Sequence, residues 1–141
     1  MARGMTWARN PHAGGVKIPA AVQERTTKRI LAYAEKHYAG KYIRLEVRFR
    51  GALCYIDAFT EPDEPDAELL RIRGETKEEY YEHMRNNPLH LCRLRYFNDE
   101  ESWSFAFFAY SSMKYEPCFL ENGTFYGTPE EAFAAGAMYL E

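Results

Sequence analysis

Two carboxylates and three arginines crowd into one short stretch, YIRLEVRFRGALCYIDAF at 42–59. Glu46 and Asp57 are the acids, and Arg44, Arg48 and Arg50 are the bases. Carboxylates held close together can divide acid and base roles, because the charge on one raises the proton affinity of the other. An arginine beside them, Arg48 here, would clamp an anionic substrate through its planar fork of donors. That is the chemistry these residue types could do.

Their spacing also has a plainer account. Ile43, Leu45, Val47 and Phe49 share one parity, and Tyr42, Arg44, Glu46, Arg48 and Arg50 share the other. Such alternation makes a strand with one apolar and one charged face. A second strand at 53–60 places Cys54, Ile56 and Ala58 on the apolar face, with Leu53, Tyr55, Asp57 and Phe59 beside the arginines. The turn decides what Asp57 meets. With Gly51-Ala52 as the turn, Glu46 faces Asp57 and a carboxylate pair forms; with Arg50-Gly51, Arg44 faces Asp57 in an ordinary cross-strand ion pair. Like charges placed opposite each other destabilise a sheet, so the ion-pair register is the expected one. Because the charged face also carries Tyr55 and Phe59, something is expected to cover part of it.

A later strand, LHLCRLRYF at 89–97, can add Arg93 and Arg95 to that face. Arginines from two strands with aromatic rings between them can hold phosphate or stack on bases, although no RNP-type motif accompanies them. The phosphate-loop, dinucleotide, nucleophile-elbow and zinc-helix patterns are absent. None of His12, His37, His83 and His90 has metal-ligand spacing. His90 and Cys92 share a strand parity with no third partner in view, which reads as packing.

Elements to position these residues are well marked. Pro19 opens a helix running to Gly40, with Thr27, Leu31, Ala34 and Tyr38 as its inner line and Ile30 beside them. Arg25, Arg29 and Lys36 form a basic stripe on its outer side, read as a solvated face. EPDEPD at 61–66 interrupts the strands, and DAELLRIRG after it suits a short helix or a strand. Thr76 and Glu79 form a capping box for a helix that ends before Pro88. Strands follow at 89–97, 102–111 and 114–121, and the run at 105–110, apolar on both parities, predicts burial on both faces. Asn122-Gly123 predicts a type I′ hairpin turn into a short strand. Thr128, Pro129 and Glu131 start a last helix that turns Phe133, Ala137 and Leu140 inward.

The net charge of −3 conceals an asymmetry: residues 1–60 hold 11 Lys/Arg against 4 Asp/Glu, and residues 61–141 hold 7 against 17. Mutual neutralisation on folding is favoured over a nucleic-acid surface, since a dedicated nucleic-acid domain is usually basic overall. Cys54, Cys92 and Cys118, odd in number and without CxxC spacing, are expected as reduced residues inside strands of a cytoplasmic protein. No apolar run reaches membrane-spanning length.

The pattern predicts an α+β domain over 19–141 behind an extended basic arm at 1–18, pinned by Trp7 and carrying Arg3 and Arg9. Its sheet is mainly antiparallel, of about five to six strands, with the N-terminal and C-terminal helices packed on it. The expected function is that of a non-catalytic interaction module. Its surface is the arginine–aromatic face of Arg44, Arg48, Tyr55, Arg93 and Arg95, and its partner a protein or a small anionic ligand. An enzyme using Asp57 and Glu46 with Arg48 as anion clamp is the alternative, and a nucleic-acid-binding module stands behind both. No cofactor, metal or membrane is expected.

Overall fold

A computed structural model describes residues 13–140. Helix α1, Ala20–Tyr38, starts after Pro19, whose extended backbone occupies the N-cap, and stops short of Gly40. Its buried line is Val22, Thr26, Ile30 and Ala34. Of the expected line, Ala34 is buried and Tyr38 packs against the core, but Thr26 and Ile30 take the places expected of Thr27 and Leu31, leaving Leu31 42% exposed. A helix seated on a neighbour packs along its i, i+4 ridge, and that ridge wins here over the larger side chain.

Strands β1 (Arg44–Arg50), β2 (Leu53–Phe59), β3 (Leu89–Tyr96), β4 (Trp103–Ala109) and β5 (Lys114–Pro117) form an antiparallel sheet in that spatial order, and β6 (Tyr126–Gly127) also pairs with β4. Two helices, α2 (Ala67–Arg73) and α3 (Lys77–Arg85), link β2 to β3. The ambiguous segment is therefore helical: the Asp66 side chain accepts from the Leu69 amide, and Gly74 closes the helix at φ 69°, a backbone shape glycine adopts without penalty. Both capping boxes form as predicted, Thr76 with Glu79 and Thr128 with Glu131. The second opens α4 (Pro129–Gly136), which runs into a 3₁₀ turn at Ala137–Leu140.

Asn122-Gly123 behaves differently from its expectation. Ala106 to Ala109 of β4 pair with β5, and Trp103 and Ser104 pair with β6, so β5 and β6 lie in line along one edge of β4. The chain between them loops out and is pinched by Leu120 N–H donating to the Thr124 carbonyl at 2.8 Å. Gly123 N–H donates to the Leu120 carbonyl, and Gly123 alone of the pair is left-handed. A type I′ turn needs both central residues left-handed. The pair forms the tip of a loop and joins no hairpin.

Helices α1 and α4 pack on one face of the sheet. Beneath them lie Cys54, Ile56 and Ala58 of β2, Cys92, Leu94 and Tyr96 of β3, Trp103 and Phe105 of β4, and Phe133 of α4. Phe105 and Phe108 are 3% and 7% exposed, on opposite faces of β4, as the doubly apolar run predicts. Phe133, Ala137 and Leu140 are buried. Cys54 and Cys92 are buried thiols, but Cys118 lies beyond the end of β5 and is exposed, because Pro117 ends the strand before it.

Two of the three residues of the α1 basic stripe are paired. Arg25 meets Glu100 at 2.8 Å, and Arg29 meets both Glu101 at 2.6 Å and Glu130 at 2.7 Å. These contacts join the basic first part of the chain to the acidic second part. Of the arm, residues 13–18 run past the hairpin turn: Val16 N–H donates to the Tyr96 carbonyl, Ile18 N–H donates to the Gly51 carbonyl, and Ile18 is buried. Arg3, Trp7, Arg9 and His12 lie outside the described residues. No helix among the described residues is long and apolar enough to cross a membrane.

Candidate functional site

The hairpin turns at Gly51-Ala52. Gly51 has φ 60° and Ala52 does not share that region, as the first and second positions of a type II′ turn require. Arg50 consequently pairs with Leu53, and Glu46 faces Asp57. This overturns the register in which Arg44 would meet Asp57. The alternative turn would have had Arg50 as its first central residue, left-handed in either hairpin type, where a side chain with a Cβ is strained. The repulsion between the facing carboxylates is absorbed by Arg48, whose Nη2 lies 2.7 Å from Asp57 Oδ2 and whose Nε lies 3.3 Å from Glu46 Oε1. Burial works against the charge of Arg48, but its hydrogen bond to Asp57 and the nearby negative charges outweigh this and raise its pKa.

Asp57 has a second partner that the strand pattern hides. Between Ile56 and Asp57 the register slips: Ile56 faces Cys92, but Asp57 faces His90. Leu91 is the extra residue of a β-bulge, and it joins Cys92 in the core. The bulge breaks the parity that His90 and Cys92 share in sequence, sending Cys92 to the helix side and His90 to the open face. His90 Nδ1 lies 2.8 Å from Asp57 Oδ1. In a neutral imidazole, a carboxylate at this distance accepts a hydrogen bond from Nδ1–H, and Nε2 is then the acceptor nitrogen. The backbone N–H of His90 donates to the Tyr110 hydroxyl at 2.8 Å.

Aromatic rings close over this network. His90 lies 4.8 Å from the Phe108 ring, Tyr115 lies 5.0 Å from Phe108, and Tyr55 meets Tyr115 edge-on at 5.6 Å. The expected cover is thus made by rings of the face itself. The Asp57 side chain is only 3% exposed beneath them, whereas that of His90 is 32% exposed. Burial, reinforced by the negative charge of Asp57, pushes the Tyr115 phenol well above its ordinary pKa, so it stays a hydrogen-bond donor at neutral pH. Arg48, Phe49, Arg50, Tyr55, His90 and Tyr115 line an open depression of about 740 Å³.

Of the residues singled out from sequence, Arg48, Tyr55 and Asp57 come together here, with Glu46 at the margin. Arg93 lies on the same face with its guanidinium 5.2 Å from the Tyr115 ring centre. Arg95 lies farther along the face and donates to the Gly14 carbonyl; burial and the charge of Arg93 lower its pKa. Arg44 lies over the Phe59 ring at 3.7 Å and meets no carboxylate among the described residues, contrary to the expectation that it is tied to an acid. Across β1, β2 and β3 this face carries Arg44, Arg48, Arg50, Arg93 and Arg95 against Glu46 and Asp57. The acidic second part of the chain neutralises α1 and leaves the sheet face positive. Arg50, named with the arginines of β1 but not among the binding residues, His90, read from its parity with Cys92 as packing, and Tyr115, not singled out, are the functional candidates that sequence reasoning missed. Among the described residues no cluster of three or more His, Cys, Asp or Glu could hold a metal ion. No protein-family model, curated protein or solved structure matches this chain.

Proposed function

We propose that this chain is a binding module whose arginine–aromatic sheet face takes a small phosphate-bearing anion of nucleotide size. The observation that carries the reading is the depression itself, in which aromatic walls are combined with cationic side chains. A cavity of about 740 Å³ falls within the usual range for small-molecule sites. Arg50 and Arg93 have no carboxylate partner among the described residues, so their charge is available to a ligand. Guanidinium groups match phosphate geometry, and the rings of Tyr55 and Tyr115 offer surfaces for a planar base. A concave site with a few convergent polar groups suits a small ligand better than a flat protein surface.

Calorimetric titration with uridine and adenosine monophosphates tests the reading, with the corresponding nucleosides and inorganic phosphate as controls. The nucleotides are expected to bind more tightly than either part. Arg50→Ala should weaken them about tenfold or more, as expected for loss of one charge-assisted hydrogen bond. Equal binding of nucleoside and nucleotide, or no binding by any of them, would remove the proposal.

A further inference from the structure

We infer that the anion taken by this face is a segment of single-stranded RNA, and that His90 is the general base that cleaves it. The inference rests on the phosphate-binding reading above and adds a reaction to it. Asp57, nearly closed from solvent, holds Nδ1–H of His90, and Arg48 holds Asp57 from its other oxygen at 2.7 Å. The imidazole is therefore fixed in one tautomer, with Nε2 as the basic nitrogen of a ring that lines the depression. A bulge at Leu91 is what turns His90 toward that space, and bulges recur beside active sites because they re-aim a side chain. A buried carboxylate is a poor device for stability alone, since apolar replacements are often as stable.

Among the described residues the lining supplies no serine, threonine or cysteine as nucleophile. A substrate that carries its own hydroxyl next to a phosphate needs none, and RNA is such a substrate. His90 Nε2 takes the proton of the ribose 2′-hydroxyl as its oxygen forms a bond to phosphorus. The bond from phosphorus to the 5′-oxygen of the next nucleotide breaks. That oxygen leaves as a hydroxyl by taking a proton from water, and His90 releases its own proton to solvent, so none is gained or lost overall. The products are a 2′,3′-cyclic phosphate and a 5′-hydroxyl end. Arg50 faces the negative charge that builds on the phosphoryl oxygens, and Tyr55 and Tyr115 stack the flanking base.

The test uses the full chain with a short labelled single-stranded RNA, the DNA of the same sequence, and its 2′-O-methyl RNA counterpart. All three are expected to bind, and only the RNA to be cut, giving cyclic phosphate ends. His90→Gln should lower the cutting rate by about 10²–10⁴-fold, the usual worth of a positioned base, while the variant still binds 2′-O-methyl RNA. Asp57 is a positioning residue: Asp57→Asn should reduce cutting and shift the imidazole tautomer seen in ¹⁵N spectra, while 2′-O-methyl RNA still binds. RNA that binds but stays whole, or a His90→Gln preparation that cuts at the unaltered rate, overturns the inference and leaves the binding reading standing. Failure of every oligonucleotide and nucleotide to bind overturns both. The uncut 2′-O-methyl strand keeps the result readable even if a variant folds poorly.

Discussion

Asp57 and Arg44 sit on the same sheet face, yet their environments give their arginine contacts different weights. Arg48 reaches a carboxylate whose side chain is 3% exposed, whereas Arg44 rests on Phe59 with no acid beside it among the described residues. Losing a hydrogen bond to a buried charge leaves that charge under-solvated. Arg48→Ala is therefore expected to cost about 1–3 kcal/mol. Arg44→Ala gives up a cation–π contact at an exposed site, about 0.5–1 kcal/mol. Urea denaturation of the two variants should rank them in that order, and equal losses would mean that water replaces Arg48 freely. The cysteines differ in the same way. Burial raises the pKa of the Cys54 and Cys92 thiols, while Cys118 is exposed. A thiol reagent should modify Cys118 alone in the native protein and all three cysteines after denaturation. Rapid modification of Cys92 in the native state would show that the core beneath α4 opens.

At the scale of elements, the junction of α4 with the β3 bulge is a close and testable contact. A Cβ built on Gly136 would come within 2.9 Å of both the Leu91 carbonyl oxygen and Cys92 Cβ. Alanine usually strengthens a helix relative to glycine. Here overpacking reverses the sign, and Gly136→Ala should destabilise by about 1–3 kcal/mol. It should also disturb His90, since the residues it would press on make the bulge. Thermal unfolding, together with the ¹⁵N shifts of the His90 ring, checks both effects; a more stable Gly136→Ala protein with unchanged ring shifts would show that α4 has room to move. The same junction explains which parts of the fold were legible beforehand. Helix starts at Thr76 and Thr128 were readable because a capping box is complete within four residues. The apolar sides of β1 and β2 were readable because alternation is local, and the burial of β4 because its run is apolar on both parities. The slip at Leu91 was not, since it is settled by how β3 meets β2 and α4, and so the Asp57–His90 pair stayed hidden. Asn122-Gly123 misled for a related reason. Its loop leaves the sheet and returns, and the edge of β4 receives strands from both sides of it. Thr27 and Leu31 misplaced the inner face of α1 because a shift of one residue changes the stripe little in sequence but decides which side chain is covered.

For the molecule as a whole, the uneven charge of the chain becomes a fastening between α1 and the acidic segments that follow the sheet strands. Hydrogen bonds from Arg29 hold the Glu130 carboxyl below its ordinary pKa, and hydrogen bonds from Arg25 do the same for Glu100. A carboxyl group whose folded pKa lies below its unfolded value favours the folded state once the pH is above the unfolded value, about 4.3 for glutamate. That contribution disappears as the pH falls through the lowered folded value, because both states are then protonated. Stability of the protein should therefore decline on acidification from about pH 5 downward, with Glu100 and Glu130 among the contributors. Glu130→Gln should make the decline shallower and lower the stability at neutral pH, and added salt should narrow the difference because these groups are partly exposed. Urea midpoints measured from neutral to acidic pH for the native sequence and for Glu130→Gln give the comparison directly. Parallel curves would mean that the pair of Arg29 with Glu130 forms without coupling to folding, and the union of the two oppositely charged parts of the chain would then rest on the apolar contacts beneath α1 and α4.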